Sequence, residues 1–204
     1  MSACLQPFYQ LKPQIYIETD RLLLRQWQST DHEPFIQMNR DPAVRKYFPT
    51  LLTREESRAH IVTIEKSIDR QGYGLFAAEW KETGAFIGFI GFSHPAFESL
   101  EPPPAPGRSP NHLPPTPCIE IGWRISSHYW GRGLATEGAA ACLRAGFDRW
   151  NMSEVYSFTS IHNHPSEKVM IRIGMVRQGT FIHPMLPAGH WLSEHVLYKA
   201  TRPG

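Results

Sequence analysis

A run that can do chemistry stands at Tyr129-Trp130-Gly131-Arg132-Gly133-Leu134-Ala135-Thr136-Glu137. It follows an apolar, strand-like stretch (Cys118 to Ile125) and opens a helix-like one (Leu134 to Trp150). A helix N-terminus carries backbone N–H groups without intrahelical partners, and the helix dipole favours negative charge there. Glycines permit the tight turn and let a phosphate approach the backbone. The run therefore reads as a cradle for a phosphorylated cofactor. It is not a dinucleotide fingerprint, because Thr136 stands where G-x-G-x-x-G/A needs its third small residue. No Walker G-x-x-x-x-G-K-[ST] run occurs either.

Two further groups of residues suit proton transfer. Glu120 lies at the start of the strand Glu120-Ile121-Gly122-Trp123-Arg124-Ile125, where a carboxylate could take a proton from an amine through water. Gly122 inside that strand suggests a bulge; the plainer alternative is a glycine packed under an aromatic ring. Asn163-His164-Pro165-Ser166 opens a later helix, and both Asn163 and Ser166 also suit simple capping. His162, His183 and Glu194 are further candidates for a base. His162 and His164 have no clustered Cys or His around them, so no metal site is expected.

The glycine run resembles the acyl-CoA loop of the GNAT superfamily of N-acetyltransferases, Q/R-x-x-G-x-G/A, aligned on Trp130-Gly131-Arg132-Gly133-Leu134-Ala135 with only the first position departing. Trp-Gly-x-Gly-x-Ala-Thr-Glu and Glu18-Thr19-Asp20-Arg21-Leu22 are similar to the RimJ/RimL-like branch of ribosomal-protein N-acetyltransferases. The resemblance implies acetyl-CoA as cosubstrate, held by Trp130, Gly131, Arg132, Gly133, Leu134, Ala135 and Thr136. It further implies a bulge that splays two parallel strands. The N–H groups of Trp123 and Ile125 would then hold the thioester carbonyl and the pantetheine amide, the first as an oxyanion donor. By the same resemblance Asn163 would contact the pantetheine or the amine, and Ser166 would protonate the departing thiolate. The tyrosine that many relatives use for that step falls at Met170, and a carboxylate that some carry on a later strand falls at Thr180. The implied reaction is direct attack of a primary amine, on a peptide or a small molecule, in a ternary complex. A non-catalytic acyl-CoA-binding module of the same fold and an unrelated nucleotide-binding α/β protein are the alternatives.

The elements that must position these residues follow from pattern. We expect a strand from Ile15 to Gln26 and a helix capped near Ser29–Asp31. A second short helix is expected from Asp41-Pro42 to Pro49, and a longer one from the Thr53-x-x-Glu56 capping box through Ile68. Strands at Leu75–Lys81 and Ala85–Ser93 flank a short loop, and Ile119–Ile125 precedes the glycine run. The helix from Ala135 has a small face (Ala139, Ala140, Ala141, Ala145) for lying close to a sheet. Val155–Ile161, a helix Pro165–Ile173 and two strands, Val176–Ile182 and Trp191–Ala200, complete an α/β domain with a mixed sheet. Its order agrees with the GNAT fold over about residues 15–200.

The 204 residues are expected to form one domain. A formal charge of +2 argues against nucleic acid as partner. No apolar run is long enough for a membrane span, and the N-terminus lacks a signal-peptide pattern. Three dispersed cysteines (Cys4, Cys118, Cys142) read as free thiols, so the cytoplasm is expected. A monomer and a homodimer are both compatible with the chain. Nine of its 18 prolines fall between Pro95 and Pro117, which excludes helix or central strand there. That insertion reads as an extended surface loop, with a lid over the cleft or an SH3-type ligand (Pro103, Pro106, Arg108) as the alternatives.

Overall fold

The computed structural model describes residues 13–97, 113–187 and 189–204. Eight strands form a single mixed sheet in the order β1-β2-β3-β4-β5-β6-β8-β7. They are β1 (Ile15–Glu18), β2 (Leu22–Arg25), β3 (Leu75–Trp80), β4 (Ala85–Ser93), β5 (Glu120–Ile125), β6 (Glu154–Ser160), β7 (Val176–Ile182) and β8 (Glu194–Thr201). All neighbours are antiparallel except β5 and β6. Four helices accompany the sheet: α1 (His32–Arg40), α2 (Arg54–Gln71), α3 (Leu134–Asp148) and α4 (His164–Arg172). This is the mixed α/β architecture expected from the sequence.

Two expected elements take another form. The strand Ile15–Gln26 is instead a hairpin of β1 and β2. Its turn closes where Thr19 N–H donates to Leu22 O at 2.9 Å and Thr19 Oγ1 accepts from Leu22 N at 2.9 Å. The polar run Glu18–Arg21 has no apolar alternation to hold it in a strand, and the Thr19 hydroxyl offers the backbone a turn. The second short helix is a series of turns over residues 42–50. There the Arg45 guanidinium occupies Thr50 O through Nε and Nη2, at 2.9 and 2.8 Å, and Pro49 supplies no amide donor. The Thr53 capping box does form, with Thr53 Oγ1 accepting from Glu56 N and Glu56 accepting from Thr53 N.

Close packing explains the small residues on α3. A Cβ at Gly138 would lie 2.4 Å from Ile90 Cδ1, so glycine there lets the helix lie close to β4 without moving the Ile90 side chain. The N-terminal end of α3 is fixed by Glu137. Its carboxylate accepts from Thr19 Oγ1 at 2.6 Å, Arg21 N at 2.9 Å and Arg21 Nε at 2.6 Å. Partial burial pushes the Glu137 carboxyl up, but these bonds outweigh it and hold the carboxyl below its ordinary range. The β1–β2 turn thus grips the glycine run, which accounts for Glu18–Leu22 and Thr136–Glu137 occurring in one chain.

The ends of the Pro-rich segment that the structure describes, Phe97 and Leu113, pack with Cys118, Tyr156, Phe181 and Leu197 in a second apolar cluster. Residues 98–112, including Pro103, Pro106 and Arg108, lie outside the described residues, as does Cys4. Cys118 and Cys142 are buried free thiols. Among the described residues no helix is long and apolar enough to cross a membrane.

Replacing Glu137 with alanine removes the grip of the β1–β2 turn on α3. The expected cost is about 1 kcal/mol, because the Arg21 donors are open to water and only the Thr19 hydroxyl is partly buried. A urea-denaturation midpoint equal to that of the parent protein would contradict this account of the turn.

Candidate active site

Gly131 and Gly133 both adopt φ 76°, the left-handed region that favours glycine. Gly133 is the N-cap of α3 and contributes no side chain, so no cap hydrogen bond closes this helix end. The first-turn N–H groups of Leu134, Ala135 and Thr136 therefore point outward for a ligand. Leu134 is buried and can contribute only its backbone. The Arg132 carbonyl accepts from Arg21 Nη1 at 2.9 Å, and its guanidinium lies 5.0 Å from the Trp80 ring centre. Trp130 donates its indole N–H to Ile125 O at 2.7 Å, which braces the loop against the end of β5.

The strand before this loop parts from its parallel neighbour. β5 and β6 are in register at Glu120 and Tyr156 alone, with Tyr156 N–H donating to Ile119 O at 2.8 Å. Beyond that point β5 pairs only with β4. Ser126 N–H donates to Ile87 O at 2.8 Å, and the register runs back through Phe89–Arg124 and Gly91–Gly122. By antiparallel alternation, Glu120, Gly122 and Arg124 bond to β4, while the N–H groups of Trp123 and Ile125 face the side that β6 has left. The buried Ser157 hydroxyl takes Ile121 O at 2.9 Å where the strands separate.

The splay expected from the sequence is present, but not by the expected route. The β4–β5 register passes through Gly122 without a shift. The irregularity sits one strand away, between Ala78 and Glu79 of β3, opposite Gly88 and Phe86 of β4. Nor does Gly122 pack under an aromatic: a Cβ added there meets nothing within 4 Å. Gly122 leaves open space on the sheet face that carries Glu120 and Arg124.

Burial pushes the Glu120 carboxyl up to about 8, opposed only by a long 3.5 Å bond from Ser93 Oγ. Such a group gains and loses a proton near neutral pH. Asn163 is the N-cap of α4; its Oδ1 accepts from Ser166 N at 3.4 Å, and its Nδ2 donates to Thr159 Oγ1 at 2.8 Å. Ser166 stands in the first turn of α4 and is half-buried. Met170 is fully enclosed in the core.

The other candidate bases are less well placed. His183 lies in an aromatic cluster with Phe97, Phe158 and Phe181, and burial lowers its pKa. His162 is exposed beside Trp191, and Glu194 opens β8. No group of three or more metal-type ligands occurs among the described residues. Of the aromatics, Trp27 and Phe76 are core, whereas Phe48 is 37% exposed. A recess of about 930 Å³ adjoins the end of β5 and the segment leading into the glycine loop, lined by residues such as Asp31, Met38, Asp41, Ser126, His128 and Tyr129. Sequence pattern did not single out Arg124, Asn39, Arg45 or Ser157. The signal available was Arg124 itself, a charge in an otherwise apolar strand.

A parallel pair that opens beside a glycine-lined helix N-terminus, in a mixed sheet of this order, marks an acyl-CoA-type acetyltransferase fold. The profile of the acetyltransferase (GNAT) domain matches residues 21–176, and the chain belongs to that family. It is 28% identical over 182 residues to the uncharacterized N-acetyltransferase YnaD of Bacillus subtilis (strain 168), covering 89% of this chain and 94% of that protein. Its structure is similar to a GNAT-family acetyltransferase from Bacillus anthracis, with TM-score 0.70 and 25% identity over 91% of this chain and 98% of that one. It also shares its fold with RimL, a ribosomal L7/L12 alpha-N-protein acetyltransferase solved with coenzyme A. That likeness has TM-score 0.69 at 15% identity, over 92% of this chain and 98% of RimL.

A raised carboxyl pKa has a consequence for stability. Glu120 binds its proton more tightly folded than unfolded, so its contribution is complete below about 4.5 and is lost as pH rises to about 8. Glu120→Gln removes that dependence. The variant should gain in melting temperature relative to the parent as pH goes from 5 to 8, and the gap should then level off. A gap independent of pH would show that Glu120 titrates normally.

Proposed function

We propose that this chain is a RimJ/RimL-like N-acetyltransferase that moves the acetyl group of acetyl-CoA to a primary amine in a ternary complex, and that it works in the cytoplasm. The observation that carries this reading is the gap after Glu120 and Tyr156, which leaves the Trp123 and Ile125 N–H groups facing it at the foot of the glycine loop.

Acetyl-CoA supplies an acetyl group activated as a thioester. Gly131, Arg132, Gly133, Leu134, Ala135 and Thr136 hold its pyrophosphate through backbone N–H groups, with the Arg132 charge and the Thr136 hydroxyl assisting. Trp130 acts on this loop by bracing it to Ile125 O. Trp123 N–H stabilises the negative charge that develops on the carbonyl oxygen, and Ile125 N–H bonds the pantetheine amide. Asn163 presents the first turn of α4, where its cap bond sets the position of Ser166.

Two proton transfers complete the reaction. The incoming amine is protonated in water at neutral pH and must lose a proton before it can attack. Glu120 takes that proton, directly or through one water, and its pKa of about 8 suits the task. Ser166 relays a proton to the departing thiolate of CoA, directly or through water, and is reprotonated from the amine nitrogen or from solvent as the amide forms, a step for which Met170 offers no acidic hydrogen. No covalent enzyme intermediate is required, in keeping with the burial of Cys118 and Cys142 away from solvent.

Calorimetric titration with acetyl-CoA tests the cofactor half of this reading. The wild type should bind at micromolar concentration. Gly133→Glu, which puts a side chain and a negative charge at a left-handed N-cap, should lose binding while remaining folded. Undiminished binding by the variant would move the cofactor elsewhere.

Release of CoA with a panel of amines tests the chemistry. Glu120→Gln should lower kcat by about 10²–10⁴-fold, and Ser166→Ala by about 10–100-fold, each with the affinity for acetyl-CoA unchanged. Full activity in either variant would remove that residue from the mechanism.

A further inference from the structure

Arg124 has no part in the proton transfers described above, yet it occupies the same face of β5 as Glu120 and Gly122. Its Nη1 donates to Asn39 Oδ1 at 2.8 Å, and its guanidinium lies 4.5 Å from the Phe48 ring centre and 5.1 Å from that of Phe89. Its Nε is buried without a hydrogen-bond partner among the described residues. A second guanidinium meets the Phe48 ring, with its Nε and Nη2 held by Thr50 O. Arg45 is buried, and its Cζ is 4.2 Å from the Phe48 ring centre.

Neither arginine has a carboxylate within 4.0 Å among the described residues. Glu56 reaches Arg45 only through space, because its carboxylate is bound to Thr53 N at 2.7 Å. The chain treats its other buried arginine differently: Arg25 is paired with both Asp31, at 2.7 Å, and Glu79, at 2.6 Å. A buried charge without a counter-charge is costly, and two of like sign more so. Burial, together with the Arg45 charge, draws Arg124 down to about 9. Burial and the two arginines also hold His60 down at about 4, so it adds no third charge at neutral pH. The fold therefore keeps two guanidinium groups without a carboxylate at Phe48, and Arg124 stands on the strand face where Gly122 leaves open space.

We propose that the acceptor is a small amine bearing an anionic oxygen group, a carboxylate or a phosphate, which Arg124 and Arg45 bind beside Phe48 while the amine lies over Gly122. This rests on the acetyl-transfer reading of the same site. At about 3.3 Å per residue, Gly122 is roughly 7 Å along the strand from both Glu120 and Arg124. A molecule with amine and anion a few bonds apart spans that interval. The Arg124 guanidinium can grip two oxygens as a fork, and a small turn of the side chain toward such a ligand would give its enclosed, unpartnered Nε an acceptor.

Matched pairs of acceptors test the proposal. Amino acids are compared with their amides, and amino-alkyl phosphates with the corresponding amino alcohols, by the rate of CoA release from acetyl-CoA. In parallel, N-acetylglycine and its amide are titrated calorimetrically into the protein saturated with CoA, a measurement that needs no turnover. The wild type should favour the anionic member of at least one pair by about 10–100-fold in kcat/KM, and should bind N-acetylglycine more tightly than the amide. Whichever pair shows the preference distinguishes carboxylate from phosphate.

Arg124→Met, close in volume and able to keep the ring contacts, should abolish the preference with acetyl-CoA affinity retained. Arg124→Lys should restore part of it. Arg45→Met supplies a second variant should Arg124→Met fail to fold. Equal rates and equal binding for charged and uncharged partners would overturn the anion site while leaving acetyl transfer intact. Anion binding that depends on Arg124 without CoA release from any amine would overturn acetyl transfer and leave the anion site standing.

Discussion

The separation of β5 from β6 is the constraint on which the rest of the molecule turns. A parallel pair inside a sheet normally satisfies backbone groups along its whole length, and a buried N–H without a partner is expensive. Here the pairing stops after Glu120 and Tyr156. The fold covers two of the carbonyls at the opening with local side chains: Ser157 Oγ on Ile121 O and Trp130 Nε1 on Ile125 O. Among the described residues, the donors of Trp123 and Ile125 have no such cover. An opening that leaves backbone groups of Trp123 and Ile125 facing the gap is shaped for a ligand whose amide and carbonyl groups can pair with a strand edge.

The surrounding elements keep that opening in place. The β1–β2 turn holds Glu137, Glu137 holds the first turn of α3, and the glycine loop is fixed between α3 and the end of β5. Gly138 lets α3 lie close over β4 on one face of the sheet. On the other face α1 reaches β5 through the Asn39–Arg124 bond, and the turns over residues 42–50 bring Phe48 and Arg45 to the same place. The glycine loop and the Phe48–Arg45 contact are thus joined through one strand, whose alternating residues face the two sides separately.

Much of this was legible in the chain. Glycine spacing, the capping box at Thr53 and the apolar periodicity of β3, β4 and β7 identify their elements because each is a local property of the backbone. The turn at Thr19 was missed because the apolar residues on both sides of it suggest one continuous strand, and only the tertiary bonds to Glu137 mark the reversal. The turns after Asp41 were missed because helix-like spacing there competes with the Arg45–Thr50 contact, which no pattern announces. Gly122 was recognised as special for the wrong reason. Its register with Gly91 is regular, and its value is the space it leaves open. Arg124 and Arg45 are distant in sequence, so their meeting at Phe48 depends wholly on the fold.

Amide hydrogen exchange resolved at single residues of β5, with and without acetyl-CoA, tests the central claim most directly. Trp123 and Ile125 should exchange readily in the free protein and become strongly protected when acetyl-CoA is bound. Arg124, whose backbone is already paired with Phe89 of β4, should change little. Protection spread evenly along β5, or none at Trp123 and Ile125 under saturating acetyl-CoA, would contradict the assignment of the strand opening as the acyl-CoA site.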